Sequence, residues 1–225
     1  MAFTRTRSVR TGMILPPEND KNMKIYLVRH GQPDRGPAKR YIGWTDLPLD
    51  STGAFQARAL GREFSGEALG RIVSSDLERA LTTARTIAEA QSVSICEEPA
   101  FREVHLGRWD GLTFDEVKAR YPGEYEKRGR DLAGHCPPGG ESFRDLSRRV
   151  LPVFYRLAES EPGPLMIVAH VGVIRVILCD LLGMPLDNLF RLDHACGAFS
   201  VIRRAGTEYR LLGHACRPRT TPDPD

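Results

Sequence analysis

The chain contains 225 residues, of which 41% are hydrophobic and 27% are charged, and these values suit one globular domain with a sizeable core. The formal net charge of +3 is small and most of the excess lies near the N-terminus, so it does not indicate a nucleic-acid partner, and no apolar run reaches the roughly 18 residues of a membrane span. The five cysteines are an odd number without the spacing of a disulfide framework, which predicts a cytoplasmic location.

The predicted domain covers residues 23–214. Residues 1–22 are rich in Arg, Thr and Pro and lack the apolar core of a signal peptide, so we expect a disordered extension there. Residues 215–225 have a similar composition and are expected to form a disordered tail.

The first predicted strand, over residues 24–29, ends in an unusual group of side chains. The apolar residues IYLV are followed at once by Arg29, His30 and Gly31. Open α/β sheets bind ligands at the carboxyl ends of their strands, and a glycine lets the backbone approach a ligand closely. This junction therefore predicts a site, although a charged surface turn after a buried strand is the alternative interpretation.

A polar loop and an amphipathic helix follow. Residues 41–44 place Tyr, Ile, Gly and Trp in the loop, which is typical of one lip of a pocket or of a loop that Trp44 anchors to the core. Ser51 or Thr52 is the predicted N-cap of a helix over 51–64.

Arg79 stands in the first turn of the next predicted helix, which follows a short strand over 71–74 and for which Ser75 or Asp76 is the predicted N-cap. A cation is unfavourable there because the helix macrodipole is positive at its N-terminus. A bound anion in front of the helix would explain the arginine, and a solvated arginine is the alternative.

Residues 101–111, FREVHLGRWDG, follow a short predicted strand over 93–97 and show neither helical nor strand periodicity. They place Glu103 among apolar side chains, and carboxyl groups in such surroundings can serve as acids; a surface loop pinned by a tryptophan is the alternative. A charged excursion over 112–140 leads to a predicted helix over 142–159, which Pro152 should kink or divide.

A second buried strand, over 165–169, ends in His170 and continues into a predicted helix, so the first junction is repeated. Strands over 197–203 and 208–213 are predicted to form a terminal hairpin. Strands that alternate with helices predict an α/β fold with three layers, in which helices flank a mixed, mostly parallel central sheet.

Five side chains are therefore expected to meet at one sheet edge: Arg29, His30, Arg79, Glu103 and His170. Two arginines and two histidines beside one carboxyl group suit a multiply charged anion. Phosphate is the natural candidate because the guanidinium fork matches its oxygen atoms.

The motifs LVRHG, SSDLERALTTA, FREVHLGRWDG, PPGGES and IVAHVGVIR, in this order, resemble the histidine phosphatase (phosphoglycerate mutase-like) superfamily. The resemblance implies that His30 is the nucleophile and forms a phosphohistidine. It implies that Arg29, Arg79 and His170 bind the phosphoryl group, that Glu103 protonates the leaving group, and that no cofactor is needed.

The resemblance also implies substrate contacts by Gln32, Gly43 and Val171. Two positions depart from the family pattern, because Pro33 stands where relatives commonly have Ser or Thr, and Gly36 stands where they have an Asn that contacts phosphate. One phosphate contact is therefore expected to be missing or to come from the backbone near Gln32.

The expected reaction is hydrolysis of a small phosphate ester. The segment between Glu103 and His170 is shorter than in cofactor-dependent phosphoglycerate mutases, which favours a phosphatase. The C-terminal motifs resemble α-ribazole phosphatases, so α-ribazole 5'-phosphate is the expected substrate. A mutase-type phosphotransferase and a non-catalytic phosphate-binding module are the alternatives.

Three His–Cys combinations, at 135–136, 194–196 and 214–216, do not have the spacing of the usual zinc sites, so no metal site is predicted. The expected partner is the small-molecule phosphate ester, with neither nucleic acid nor membrane. The resemblance suggests a homodimer.

Overall fold

The computed structural model describes residues 22–91 and 93–219. The disorder predicted for 1–21 and 220–225 lies outside these residues. The sheet contains six strands: β1 (Met23–Arg29), β2 (Arg71–Ser74), β3 (Ile95–Glu97), β4 (Leu165–Ala169), β5 (Phe199–Ala205) and β6 (Glu208–Cys216). The α-helices are α1 (Ser51–Phe64), α2 (Glu78–Glu89), α3 (Phe114–Arg120), α4 (Glu124–Arg130), α5 (Phe143–Ser160) and α6 (Val171–Leu181). Short 3₁₀ turns cover Pro99–Phe101, Gly107–Trp109 and Leu186–Arg191.

The strand order β3-β2-β4-β1-β5-β6 makes a mixed sheet. The first four strands in this order run parallel and the last two antiparallel, which confirms the predicted fold class. Arg29 is in register with Ala169, and the N–H of His30 donates to the carbonyl of Ala169 at 3.1 Å. The carboxyl ends of β1 and β4 therefore stand side by side, and the residues that follow them meet at one edge.

Side-chain alternation along β1 builds the two faces of the core. Ile25 and Leu27 belong to the apolar cluster that includes residues of α5 and α6, whereas Tyr26 and Val28 belong to the cluster that includes residues of α1 and α2. Each fully buried Leu or Ile contributes roughly 1.5–3 kcal/mol relative to exposure. The helices thus cover both faces of a strand that carries functional residues at its end.

The N-cap of α1 differs from the prediction. Asp50, one residue earlier than expected, accepts the N–H of Gly53 at 2.7 Å, and Ser51 is the first helical residue. The aspartate also accepts a hydrogen bond from Gln32, so it ties the loop after β1 to the helix.

Neither predicted N-cap of α2 serves that purpose. The Ser75 hydroxyl lies 2.9 Å from a ring nitrogen of His170, and the Asp76 carboxylate pairs with Arg102. Asp46, from the distant loop, instead accepts the N–H of Glu78 at 2.7 Å. Tertiary contacts therefore replace the local cap.

Pro152 does not divide the long helix, since α5 runs unbroken from Phe143 to Ser160. The proline is exposed, so the backbone carbonyl that loses its intrahelical partner can accept a hydrogen bond from water. At the other end of the chain, β6 continues to Cys216, two residues beyond the predicted end of the domain. Within 22–91 and 93–219, no helix combines the length and the apolar character needed to cross a bilayer.

Candidate active site

A cavity of about 120 Å³ lies at the carboxyl ends of β1 and β4. Its lining includes four of the five side chains that the sequence placed together, Arg29, His30, Arg79 and Glu103. The fifth, His170, packs against His30 with 5.0 Å between the ring centroids. The sheet thus brings the five predicted side chains together at this cavity. We call the cavity the phosphate cavity.

His30 is buried and its ring is fixed by the backbone of the next residue. Nδ1 lies 2.6 Å from the carbonyl oxygen of Gly31, and because a carbonyl only accepts, Nδ1 must carry the proton. Burial, together with the charges of Arg79 and Arg29, holds the pKa of His30 well below its usual range. The ring is therefore neutral, and its Nε2 has a free lone pair.

Arg79 is 1% exposed and is held in place by loop carbonyls. Its guanidinium donates to the carbonyl of Thr45 at 3.0 Å and to that of Gly43 at 2.7 Å. That loop is fixed in turn by Asp110, whose carboxylate accepts the N–H groups of Gly43, Trp44 and Thr45 at 2.8–2.9 Å. Asp110 therefore positions Arg79 through the backbone between them.

The Glu103 carboxylate lies at the N-terminus of α6. Its two oxygens accept the N–H groups of Val104 at 2.8 Å and Gly172 at 3.2 Å. The carbonyl of Glu103 accepts from the indole of Trp44 at 2.7 Å and from Arg149 at 3.2 Å. Both the backbone and the side chain of this residue are therefore held.

His170 is fully buried behind His30. One ring nitrogen contacts the Ser75 hydroxyl, and Nδ1 has no hydrogen-bond partner among the described residues. Burial lowers the pKa of His170 well below its usual range, and the charge of Arg79 adds to this effect. A bound anion would offset these effects and favour the protonated ring.

Of the three predicted substrate contacts, Val171 lines the phosphate cavity, Gln32 lines a neighbouring cavity that shares Arg29 and Arg35 with it, and Gly43 lines neither. The side chain of Gln32 donates to Asp50, and its backbone N–H donates to the side chain of Gln56, both at 2.8 Å. That N–H is therefore not free to replace the missing phosphate contact. Gly43 acts through its carbonyl on Arg79, and a Cβ at this position would stand 2.6 Å from the carbonyl oxygen of Val104.

A second cavity of about 310 Å³ adjoins the first, and we call it the outer cavity. The two share Arg40, Ile42, Glu103 and Val171, so Glu103 stands where they meet. The walls of the outer cavity combine aromatic and cationic side chains: Tyr41, Phe114, Tyr125, Arg128, Phe143, Arg175 and Phe190.

The sequence did not single out Arg35, which lines the phosphate cavity. The signal for it was its place between Pro33 and Gly36, the two positions that depart from the family pattern. Arg175 was also overlooked, although it belongs to the motif IVAHVGVIR. Among residues 22–91 and 93–219, no group of three or more His, Cys, Asp or Glu side chains is arranged to hold a metal ion.

The chain matches the family model of the histidine phosphatase superfamily (branch 1) over residues 25–217. A glucosyl-3-phosphoglycerate phosphatase from Mycolicibacterium vanbaalenii is 36% identical over an alignment of 173 residues that covers 73% of this chain and 76% of the relative. An adenosylcobalamin/α-ribazole phosphatase from Salmonella typhimurium is 32% identical, over 77% of this chain and 88% of the relative. The solved α-ribazole phosphatase from Shigella flexneri superposes with a TM-score of 0.81 at 25% identity, covering 89% of this chain and all of that one.

Proposed function

We propose that this chain transfers the phosphoryl group of a small phosphorylated metabolite first to His30 and then to water. The chain belongs to the histidine phosphatase superfamily and is a phosphoric monoester hydrolase of that type. The observation that carries this proposal is the hydrogen bond between Nδ1 of His30 and the carbonyl of Gly31. It leaves Nε2 unprotonated beside two guanidinium groups in the phosphate cavity.

In the first step, Nε2 of His30 forms a bond to phosphorus while the bond from phosphorus to the leaving oxygen breaks. Arg29 and Arg79 neutralise the charge on the phosphoryl oxygens, which supplies most of what phosphoryl transfer requires. His170 takes part as a third donor once the bound anion favours its protonated ring.

Glu103 is the proposed acid, because it stands where the phosphate cavity meets the outer cavity. The oxygen that joins phosphorus to the leaving group would lie at this boundary. Glu103 gives that oxygen its proton, and the alcohol leaves through the outer cavity. In the second step the resulting carboxylate takes a proton from the water that attacks the phosphohistidine, so the protons balance over one turnover.

The sequence favours α-ribazole 5'-phosphate, and the Salmonella relative is named for that substrate, but the Mycolicibacterium relative is named for glucosyl-3-phosphoglycerate. The test therefore needs a panel of leaving groups.

The test measures phosphate release in EDTA from p-nitrophenyl phosphate, 3-phosphoglycerate and α-ribazole 5'-phosphate. We expect turnover by the wild type, an acid-labile phosphoenzyme, and loss of both in His30→Ala. His214→Asn is the matched control, since His214 lies in β6 and lines no described cavity. Hydrolysis that EDTA abolishes, or that persists in His30→Ala, would refute the mechanism.

Failure of the wild type on the whole panel would favour one of two alternatives. Turnover that appears only with a bisphosphate primer would identify a mutase. Phosphate binding without any turnover would identify a binding module.

A further inference from the structure

We propose that Gln56 and Thr83 are positioning residues, which fix the tautomer of the nucleophile by holding the two peptide groups on either side of Gly31. Neither side chain lines the phosphate cavity or the outer cavity, so both act on the reaction through the backbone. This inference rests on the proposed function, because it takes Nε2 of His30 as the nucleophile. It goes further by assigning the side chains that keep this nitrogen unprotonated.

The first contact joins Gln56, on α1, to the peptide group between Gly31 and Gln32. The carbonyl of this group accepts a hydrogen bond from Nδ1 of His30 at 2.6 Å. Its N–H donates to Oε1 of Gln56 at 2.8 Å. Because a peptide group is a rigid plane, a bond at its N–H also orients its carbonyl. Gln56 therefore directs that carbonyl at the imidazole.

The same contact polarises the peptide group. The group stands in a chain of hydrogen bonds, with the imidazole as donor at one end and the amide oxygen of Gln56 as acceptor at the other. Hydrogen bonds in such a chain strengthen one another in a protein interior. The bond at the N–H thus makes the carbonyl of Gly31 a better acceptor, which favours the proton on Nδ1 and leaves the lone pair on Nε2.

The second contact joins Thr83, on α2, to the peptide group between His30 and Gly31. The hydroxyl of Thr83 is buried and donates to the carbonyl of Arg79 at 2.7 Å. Its lone pairs are then free to accept, and the N–H of Gly31 donates to it at 3.0 Å. This bond links the nucleophile to the helix that carries a phosphate-binding arginine.

Backbone packing holds the loop after β1 in place independently of these two side chains. The carbonyl of Gln32 accepts the N–H of Asp50 at 3.0 Å, and a Cβ on Gly53 would stand 2.1 Å from the same carbonyl oxygen. The loop and the start of α1 are therefore in direct contact. Gln56 and Thr83 add the orientation of the two peptide groups that flank Gly31.

The tautomer of His30 can be measured in the resting protein by NMR of nitrogen-labelled histidine side chains, with His30→Ala to assign the signals. Gln56→Met keeps the length of the side chain and removes the acceptor, and Thr83→Val keeps the shape and removes the hydroxyl. We expect the Nδ1–H form in the wild type. In the double variant, the Nε2–H form should appear beside it.

The kinetic effect should differ from that of losing the acid. In each single variant, phosphoenzyme formation should slow roughly two- to tenfold, the factor for one neutral hydrogen bond. The factor should be the same for p-nitrophenyl phosphate and 3-phosphoglycerate, because it concerns the nucleophile and not the leaving group. The inhibition constant for inorganic phosphate should change little, since the arginines of the phosphate cavity remain.

Two control variants distinguish positioning from a general loss of stability. Thr83→Ser keeps the hydroxyl and should restore the wild-type rate. Thr86→Val is the matched control on the same helix, because the Thr86 hydroxyl also donates to the carbonyl four residues before it, at 2.9 Å, and lines neither cavity. A loss that Thr83→Ser does not restore, or an equal loss in Thr86→Val, overturns the positioning role.

The NMR measurement separates this inference from the proposed function, because it needs no turnover. A shift of the tautomer in the double variant supports the positioning role even if the wild type hydrolyses none of the esters. A ring that stays wholly in the Nδ1–H form in the double variant, with an active wild type, would refute the positioning role and leave the function intact.

Discussion

The carboxylate of Glu103 and the backbone of Gly172 are in direct contact. The N–H of Gly172 donates to Oε2 at 3.2 Å, and a Cβ on Gly172 would stand 2.2 Å from Oε1. Gly172 is the second residue of α6, which begins directly after His170. The proposed acid and the second histidine are thus placed by one helix N-terminus, and the close approach requires glycine.

Gly172→Ala should displace Glu103 because the new methyl group would occupy the position of the carboxylate. We expect kcat for 3-phosphoglycerate to fall at least tenfold, and kcat for p-nitrophenyl phosphate to change much less, since p-nitrophenolate leaves without a proton. Gly66→Ala is the control, because a Cβ there meets nothing within 4 Å. Equal losses on both substrates would point to a general structural defect.

Glu103→Gln removes the transferable proton and keeps the shape of the side chain. Hydrolysis of esters with alkyl alcohols should slow by roughly 10²–10⁴-fold, the usual contribution of general acid catalysis, with a small effect on p-nitrophenyl phosphate. Steady-state kinetics on both esters would measure the difference. A uniform loss would contradict the acid role.

Asp110→Asn should lower the stability of the protein and raise KM, although Asp110 lines neither cavity. Its carboxylate accepts three consecutive N–H groups of the loop over 43–45, and the carbonyls of that loop hold Arg79. We expect a loss of about 2 kcal/mol in stability from the weakened charged hydrogen bonds, and a rise in KM as Arg79 loosens. Asp115→Asn, an exposed position on α3, should leave KM unchanged and cost at most about 1 kcal/mol in stability, the usual contribution of an acidic residue in the first turn of a helix.

Arg35→Ala tests whether this arginine compensates for the side chains replaced by Pro33 and Gly36. Because Arg35 lines the phosphate cavity, the inhibition constant for inorganic phosphate should rise roughly three- to tenfold, a modest factor since the side chain is exposed. Lys39→Ala is the control, as Lys39 is an exposed cation of the same loop outside that cavity. An unchanged inhibition constant in Arg35→Ala would remove it from the phosphate contacts.

Stability should fall as the pH drops below 6.5. Burial lowers the pKa of His194 to about 4, with help from the charges of His214 and Arg29. The unfolded chain takes up this proton near pH 6.5 and the folded chain only near pH 4, so the loss across that window is about 3 kcal/mol. In His194→Leu, the slope of the unfolding free energy against pH should decrease by up to about 1.4 kcal/mol per pH unit. Denaturant titrations at several pH values would measure it, and an unchanged slope would contradict the assignment.

The sequence by itself determined the chemical groups of the site and the elements that carry them. Apolar runs of four and five residues that end in polar residues indicated the two buried strands, so the junctions at His30 and His170 could be found locally. Parallel strands present their carboxyl ends at one sheet edge, which made the meeting of the two histidines predictable.

Only the tertiary structure decided which side chains form hydrogen bonds or ion pairs with one another. The caps predicted at Ser75 and Asp76 were wrong, because α2 begins two residues later, at Glu78, whose N–H donates to Asp46. His170 and Arg102, both distant in sequence, are partners of the Ser75 and Asp76 side chains. The support of Arg79 by Asp110 depends in the same way on packing between loops.

The arrangement of side chains around the outer cavity depends even more on the tertiary structure. Arg128 and Arg175 are 47 positions apart, and their guanidinium groups lie over the same ring, that of Phe190, only because α4 and α6 fold against the same turn. Local patterns in the sequence predict the secondary structure in which a residue lies. The distance between charges on different elements is set by the packing of the whole core.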